Sequence, residues 1–122
     1  MRNRIAAFGF LALALTFAAP VKAQHTASLT WTASTDAAAN PTLGYNVYRL
    51  AGACPTSGTA GFSKLNTATV TTTSFTDSTI ALGNACYYVT ATLNGAESVP
   101  SNTASAVILP GAPTLLKIAG TT

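Results

Sequence analysis

The sequence predicts an all-β domain, a sandwich or barrel, behind a short export segment. Three observations carry this. No stretch repeats its apolar residues at a helical period. Short runs of strand-favouring residues alternate with Gly, Pro and Asn turn signals. One stretch, Cys86-Tyr87-Tyr88-Val89-Thr90-Ala91-Thr92, is rich in strand formers and leads into the hairpin signal Asn94-Gly95. Taken as a central strand, it gives the other segments a surface to pack on.

The first residues read as a secretory signal peptide, residues 1–23. Arg2 and Arg4 make a positive start, Ile5 to Ala19 is uncharged and largely apolar, and Val21-Lys22-Ala23 fits the small-x-small cleavage pattern. The apolar run falls short of the roughly 20 residues a membrane-spanning helix needs. Cleavage after Ala23 removes Arg2, Arg4 and Lys22. The chain as a whole carries +3, but Arg49, Lys64 and Lys117 then face Asp36, Asp77 and Glu97, and the net charge is zero. Three scattered cations do not make a nucleic-acid surface, so no nucleic-acid partner is expected. No membrane partner is expected after cleavage. Cys54 and Cys86 enter an oxidising compartment together, where a disulfide is the expected outcome. Two free thiols or an intermolecular link are the alternatives.

Residues 24–110 form the expected domain. Thr26 to Thr32 alternates, with Ala27, Leu29 and Trp31 on one face. Ala33 to Pro41 is a turn-rich connection ending in Asn40-Pro41. In Gly44 to Leu50, Tyr45 and Val47 share one face, and Asn46, Tyr48 and Leu50 the other. Ala51 to Gly61 is a loop holding Cys54, and Phe62 to Leu65 is a short edge strand. Val70 to Thr76 is Thr-rich and carries Phe75. Asp77 to Asn84 connects onward, with Ile80 and Leu82 expected beneath it. A last strand runs from about Ser101 to Leu109. Residues 111–122, punctuated by Pro110-Gly111 and Pro113, are a tail or an extra strand.

These segments resemble a fibronectin type III domain, of the immunoglobulin-like sandwich family. Ser28-Leu29-Thr30-Trp31-Thr32 is similar to its second strand and core Trp. Gly44-Tyr45-Asn46-Val47-Tyr48-Arg49 is similar to the third, and Thr73-Ser74-Phe75-Thr76-Asp77 to the fifth. Tyr87-Tyr88-Val89-Thr90-Ala91 with Asn94-Gly95 is similar to the sixth, and Glu97-Ser98-Val99-Pro100-Ser101-Asn102 to the start of the seventh. The resemblance implies a two-sheet antiparallel Greek-key sandwich. In it the second, first and fifth strands oppose the third, fourth, sixth and seventh. It also implies that Cys86, at the start of the sixth strand, lies near Cys54, just past the end of the third.

Two departures from the family stand out. The tyrosine that usually ties down the corner before the sixth strand is expected at the position of Ala85. The first strand is expected to be missing, because little chain precedes Leu29 after cleavage. The tail, Ala112 to Ala119, resembles the opening of another such domain. Leu116 and Ile118 share one face of it, so it is a candidate to fill the first strand's place, within one molecule or by donation to a neighbour.

Catalytic chemistry is not expected, and the chain is not read as an enzyme. His25 lies at a terminus, which is a poor setting for a catalytic triad. Asp36, Asp77 and Glu97 sit in or beside turn signals, where backbone hydrogen bonding is the ordinary role. No ligand spacing for zinc or calcium appears, so no metal and no cofactor is expected. Trp31, Tyr45, Phe75 and Tyr87 read as core. Tyr48 and Tyr88 point away from it on neighbouring strands. They are either a cross-strand pair shielding the sheet or a surface for stacking on a sugar or a protein partner. The expected function is that of a secreted, extracellular or periplasmic, non-enzymatic domain for protein binding, adhesion or spacing. The alternatives are an accessory carbohydrate-binding domain for an extracellular polysaccharide, using Tyr48 and Tyr88, and a subunit that self-associates through residues 112–119 by C-terminal strand donation.

Overall fold

Two strands make the spine of the molecule. They are β2 (Gly44–Ala51) and β5 (Gly83–Leu93), antiparallel over eight residue pairs from Gly44↔Thr92 to Ala51↔Ala85. The structure is a computed structural model describing residues 25–120, and the signal-peptide reading of residues 1–23 lies outside them. The remaining strands are β1 (Ala27–Thr30), β3 (Ser63–Lys64), β4 (Ser74–Asp77), β6 (Ala96–Glu97) and β7 (Ala104–Ile108). β3 adds to the far side of β2, while β6 and β7 share the far edge of β5. This sheet faces a second, two-stranded sheet of β1 and β4. The described chain is all-β, as expected, and the two antiparallel sheets pack as a β-sandwich.

Alternation sorts the side chains as the sequence implies. Tyr45 and Val47 of β2, and Ala85, Tyr87 and Val89 of β5, turn inward and are buried. Ile80 is buried with them, under the β4–β5 connection. Leu82, expected beside it, is instead 54% exposed, because Gly83 already starts β5 and carries the chain outward. Trp31 and Phe75 pack against the core but remain half-buried. Phe75 belongs to the small sheet and Trp31 directly follows β1, and the small sheet covers the large one incompletely. Trp31 meets Tyr45 edge-on at 5.4 Å between ring centres.

Several strand boundaries move for identifiable reasons. β5 begins at Gly83 rather than Cys86, because its first residues pair with β7. The Thr-rich segment is a strand only over Ser74–Asp77, and Val70 makes a single bridge to Tyr45. Between that bridge and β3, the edge of β2 is held by a side chain. Asn66 is buried, and its Oδ1 accepts the Val47 amide at 2.8 Å. Its Nδ2 donates to Asn46 Oδ1 and to the Ala68 carbonyl, both at 3.0 Å. One amide side chain thus substitutes for a missing strand residue. Asn66→Ala is expected to cost about 1–3 kcal/mol, because it leaves the buried Val47 amide without an acceptor. Urea unfolding checks it, and an unchanged midpoint would contradict the role.

The last strand is shortened in a similar way. Val99-Pro100 breaks the ladder beside β5, and Ser98 and Ser101 bridge the gap. Each donates its amide to β5, to Ala91 and Val89 respectively. The Ala91 and Val89 amides in turn donate to the Ser98 and Ser101 hydroxyls, both at 2.9 Å. Asn94 (φ 53°) and Gly95 (φ 83°) make the tight turn of the β5–β6 hairpin, as the Asn-Gly signal predicts. At Gly44 a Cβ would collide with the Thr69 side chain, so the close crossing there requires glycine.

The tail forms no strand among the described residues. From Leu109 to Gly120 every residue is exposed, and Leu116 is 97% exposed. Of the open alternatives for the tail, filling the first strand's place within the same molecule is not seen among the described residues.

Candidate functional site

Two polar clusters lie on opposite faces of the large sheet. The inner one begins with three residues that alternation turns toward the core: Arg49 on β2, Asp77 on β4 and Tyr87 on β5. Arg49 Nη1 donates to Asp77 Oδ2 at 2.7 Å, an ion pair in which the Asp77 side chain is 2% exposed and Arg49 24%. The Tyr87 hydroxyl donates to the same oxygen at 2.7 Å. The Thr79 amide and hydroxyl donate to Asp77 Oδ1 at 3.0 and 2.8 Å. Burial by itself would raise the Asp77 pKa, but donation from Tyr87, Arg49 and Thr79 outweighs it and holds the carboxyl at about 2. Tyr87 is pushed well above the ordinary phenol range by burial and by its bond to Asp77. The cluster fastens the small sheet to the large one and closes the β4–β5 connection.

Sequence reasoning did not find this cluster, although a signal was present. Phe75 and Asp77 share a face of β4, as do Val47 and Arg49 of β2. Alternation alone therefore turned one acid and one base into the interior. Ala85 supplies no tie at the corner, which is held otherwise: the Tyr87 hydroxyl reaches back to Asp77 and spans the β4–β5 connection.

The outer cluster contains the two tyrosines singled out from the sequence. Tyr48 and Tyr88 are directly paired across β2 and β5, stacked at 4.6 Å with ring planes 8° apart. Tyr88 is nonetheless buried, at 8% exposure. The Phe62 ring abuts it edge-on at 4.8 Å. The reason is the disulfide: Cys54 joins Cys86 with a Cα separation of 5.0 Å, so the loop after β2 is drawn over this face. Of the two readings of these tyrosines, the geometry is that of the cross-strand pair: Tyr88 is covered and only Tyr48 keeps access to solvent.

Tyr48 is further committed by its hydroxyl, which donates to Glu97 Oε2 at 2.6 Å. Asn46 Nδ2 donates to the same oxygen. The bond to Glu97, with burial adding to it, raises the Tyr48 pKa to about 12. Donation from Tyr48 and Asn46 lowers that of Glu97. Through Asn46 the cluster continues to Asn66, so it ties the β5–β6 hairpin to the edge of β2.

The carboxylates therefore do not meet. Glu97 is held from Asn46 and Tyr48 on the outer face, and Asp77 from Arg49 and Tyr87 on the inner one. Asp36 lies in the exposed turn after β1, where its amide donates to Ser34 Oγ at 3.2 Å. His25 stands at the start of the described residues. Among the described residues no three His, Cys, Asp or Glu side chains gather into a metal site, and no helix is long and apolar enough to cross a membrane.

A third feature was not anticipated as a site. Along β1 the two sheets part, and three contiguous clefts run from Ala27 to Ser34 between β1 and the 98–106 segment. Their volumes, from the start of β1 onward, are about 160, 370 and 240 Å³. Each is several times the roughly 30 Å³ share of a water molecule, so the groove has room for side chains. Tyr87 and Val89 contribute to its floor, and Trp31 lines one wall. In comparisons with known proteins, no family model matches this chain and no curated protein matches it significantly.

Proposed function

We propose that the chain is a secreted, non-enzymatic domain resembling fibronectin type III, serving protein binding, adhesion or spacing outside the cytoplasm. One observation carries the reading. The Asp77 and Glu97 carboxylates are bound to structural donors on opposite faces of one sheet, so the polar chemistry of the domain is spent on holding the fold. The Cys54–Cys86 bridge fits an extracellular or periplasmic location. The strand arrangement, β1 and β4 against β3, β2, β5 and β7, agrees with the order the resemblance implies. The Tyr87 hydroxyl, reaching back over the β4–β5 connection, plays the part of that family's corner tyrosine. A protein partner is favoured over a polysaccharide, because Tyr88 is covered and offers no open ring to a sugar.

Two measurements test this reading. Expression of the full chain in a secreting host, with intact-mass analysis of the exported material, is expected to show loss of residues 1–23. A mass retaining them overturns export by cleavage. Affinity electrophoresis of the exported protein through gels loaded with soluble polysaccharides is expected to show no retardation. Retardation that disappears in Tyr48→Ala would overturn the protein-partner reading in favour of the carbohydrate one.

A further inference from the structure

We infer that the open edge of β1 accepts a β-strand, and that this strand is the Ala112–Ala119 segment of a second copy of the chain. The edge is chemically ready. The Trp31 amide donates to the Thr73 carbonyl, so odd-numbered residues of β1 turn their backbone groups toward β4. In an antiparallel ladder the alternate residues then turn theirs the other way, so the amides and carbonyls of Ser28 and Thr30 face outward. No strand among the described residues pairs with them. An unpaired edge of this kind is a template for strand addition.

The groove beside that edge is shaped for an amphipathic strand. Its floor and walls include Leu29, Trp31, Tyr87 and Val89, all apolar or aromatic. An eight-residue strand spans about 26 Å, and the eight residues from Ala27 to Ser34 run the length of the groove. In a strand over Ala112–Ala119, Thr114, Leu116 and Ile118 would turn inward and Lys117 toward solvent. In the free chain these apolar side chains have no cover: Leu116 is 97% exposed and Ile118 79%. Leu115 holds φ 56°, a left-handed conformation that a leucine relinquishes on extension.

Direction selects the second copy. Ala27–Thr30 lies across the groove from Ala104–Ala106, and Trp31 and Ser34 from Ser98–Ser101. β7 therefore runs opposite to β1 and ends at the pole where β1 begins. A tail folding back from Ile108 would have to reverse at Pro110-Gly111 and enter parallel to β1. A tail arriving from a molecule stacked at the opposite pole enters antiparallel. That ordering is heterologous, because the groove of one copy holds the tail of the next, and repetition gives an open chain of subunits.

The inference rests on the proposed export only in that residues 1–23 are absent, so the test uses protein made directly as residues 24–122. This separates its failure from a failure of the export reading. Sedimentation velocity is compared between this protein and one ending at Leu109. The expected result is assembly that grows with concentration in the longer form, and a monomer in the shorter. A synthetic peptide of residues 110–122 is expected to bind the shorter form and to block assembly of the longer one. Thr30→Pro removes an outward amide without touching the bonds to β4, and is expected to abolish both effects. Leu116→Lys with Ile118→Lys, in a segment the fold does not use, is expected to do the same if Thr30→Pro fails to fold. Three outcomes overturn the inference: both forms monomeric with no peptide binding, assembly that survives removal of the tail, or a monomeric longer form that truncation destabilises.

Discussion

Asp77→Ala is expected to destabilise the protein by about 3–5 kcal/mol, a large share of what a domain of this size holds. Removal of the carboxylate takes an acceptor from four donors at once: the Tyr87 hydroxyl, the amide and hydroxyl of Thr79, and Arg49 Nη1, which keeps its bond to Thr79 Oγ1. Tyr87 is the most serious loss, because its hydroxyl is buried and water cannot replace the bond. The same residue sets an acid limit. Its pKa falls from 3.8 to about 2 on folding. A carboxylate whose folded pKa is depressed contributes stability above its unfolded value and loses it as pH drops through its folded value. The window here is about pH 4 down to pH 2. The contribution is on the order of 1–2 kcal/mol once solvent screening at the Arg49 side is allowed for. Urea midpoints measured across that window are expected to fall more steeply for the wild type than for Asp77→Ala, which keeps only the acid sensitivity of Glu97. Equal slopes for the two proteins would remove Asp77 from the account.

The second large effect is expected from the Cys54–Cys86 bridge. Its sequence separation is 32 residues, for which loop-closure entropy gives about 3–4 kcal/mol. Replacing both cysteines by alanine is expected to lower stability by that amount and still leave a folded sandwich. The bridge ties a loop to β5 and does not join the two sheets, so the inner-face core is untouched by its loss. The outer face is where the change is read. Without the tether the loop over Tyr88 loosens, and tyrosine quenching by a neutral solute should rise. Titration of the unreduced, denatured wild type is expected to find no free thiol. Two thiols per chain would show that the bridge is absent.

Much of this architecture was legible in the residues. Gly44 to Leu50 and Cys86 to Thr92 announce themselves by β-branched and aromatic content, and their alternation assigns the inward side chains correctly at Tyr45, Val47, Tyr87 and Val89. Asn94-Gly95 fixed the hairpin because a tight turn needs positive φ at both positions. The two cysteines of an oxidised chain left one intramolecular pairing. What escaped were interactions set by tertiary placement. Asn66 was passed over because nothing local distinguishes a loop asparagine from one that completes a ladder twenty residues away. Ser98 and Ser101 read as ordinary loop serines until Val99-Pro100 is seen to interrupt pairing and leave two amides of β5 in need of acceptors. Tyr88 is placed on its correct face, with its exposure left open between a shielding pair and a stacking surface. Alternation reports which side of a sheet a residue occupies and is silent on whether a loop later lies over it.

The central position of β5 has a consequence for the order in which the molecule can form. β2, β6 and β7 all bond to it, and Tyr87 ties it to the small sheet. Yet it is the fifth of the seven strands among the described residues, and β2 precedes it by some forty residues. Of its own pairings, only the β5–β6 hairpin is local. A chain emerging from its N-terminus therefore has β1 to β4 in hand with no large sheet to pack on, and its first productive nucleus waits for Gly83–Leu93. Loop-closure entropy must be met before those distant pairings return any energy, which places folding among the slower, millisecond-to-second topologies. Until then Trp31, Phe75 and Tyr45 remain exposed in an open chain. The interval in which the polypeptide stays threadable is thus written into the strand order itself.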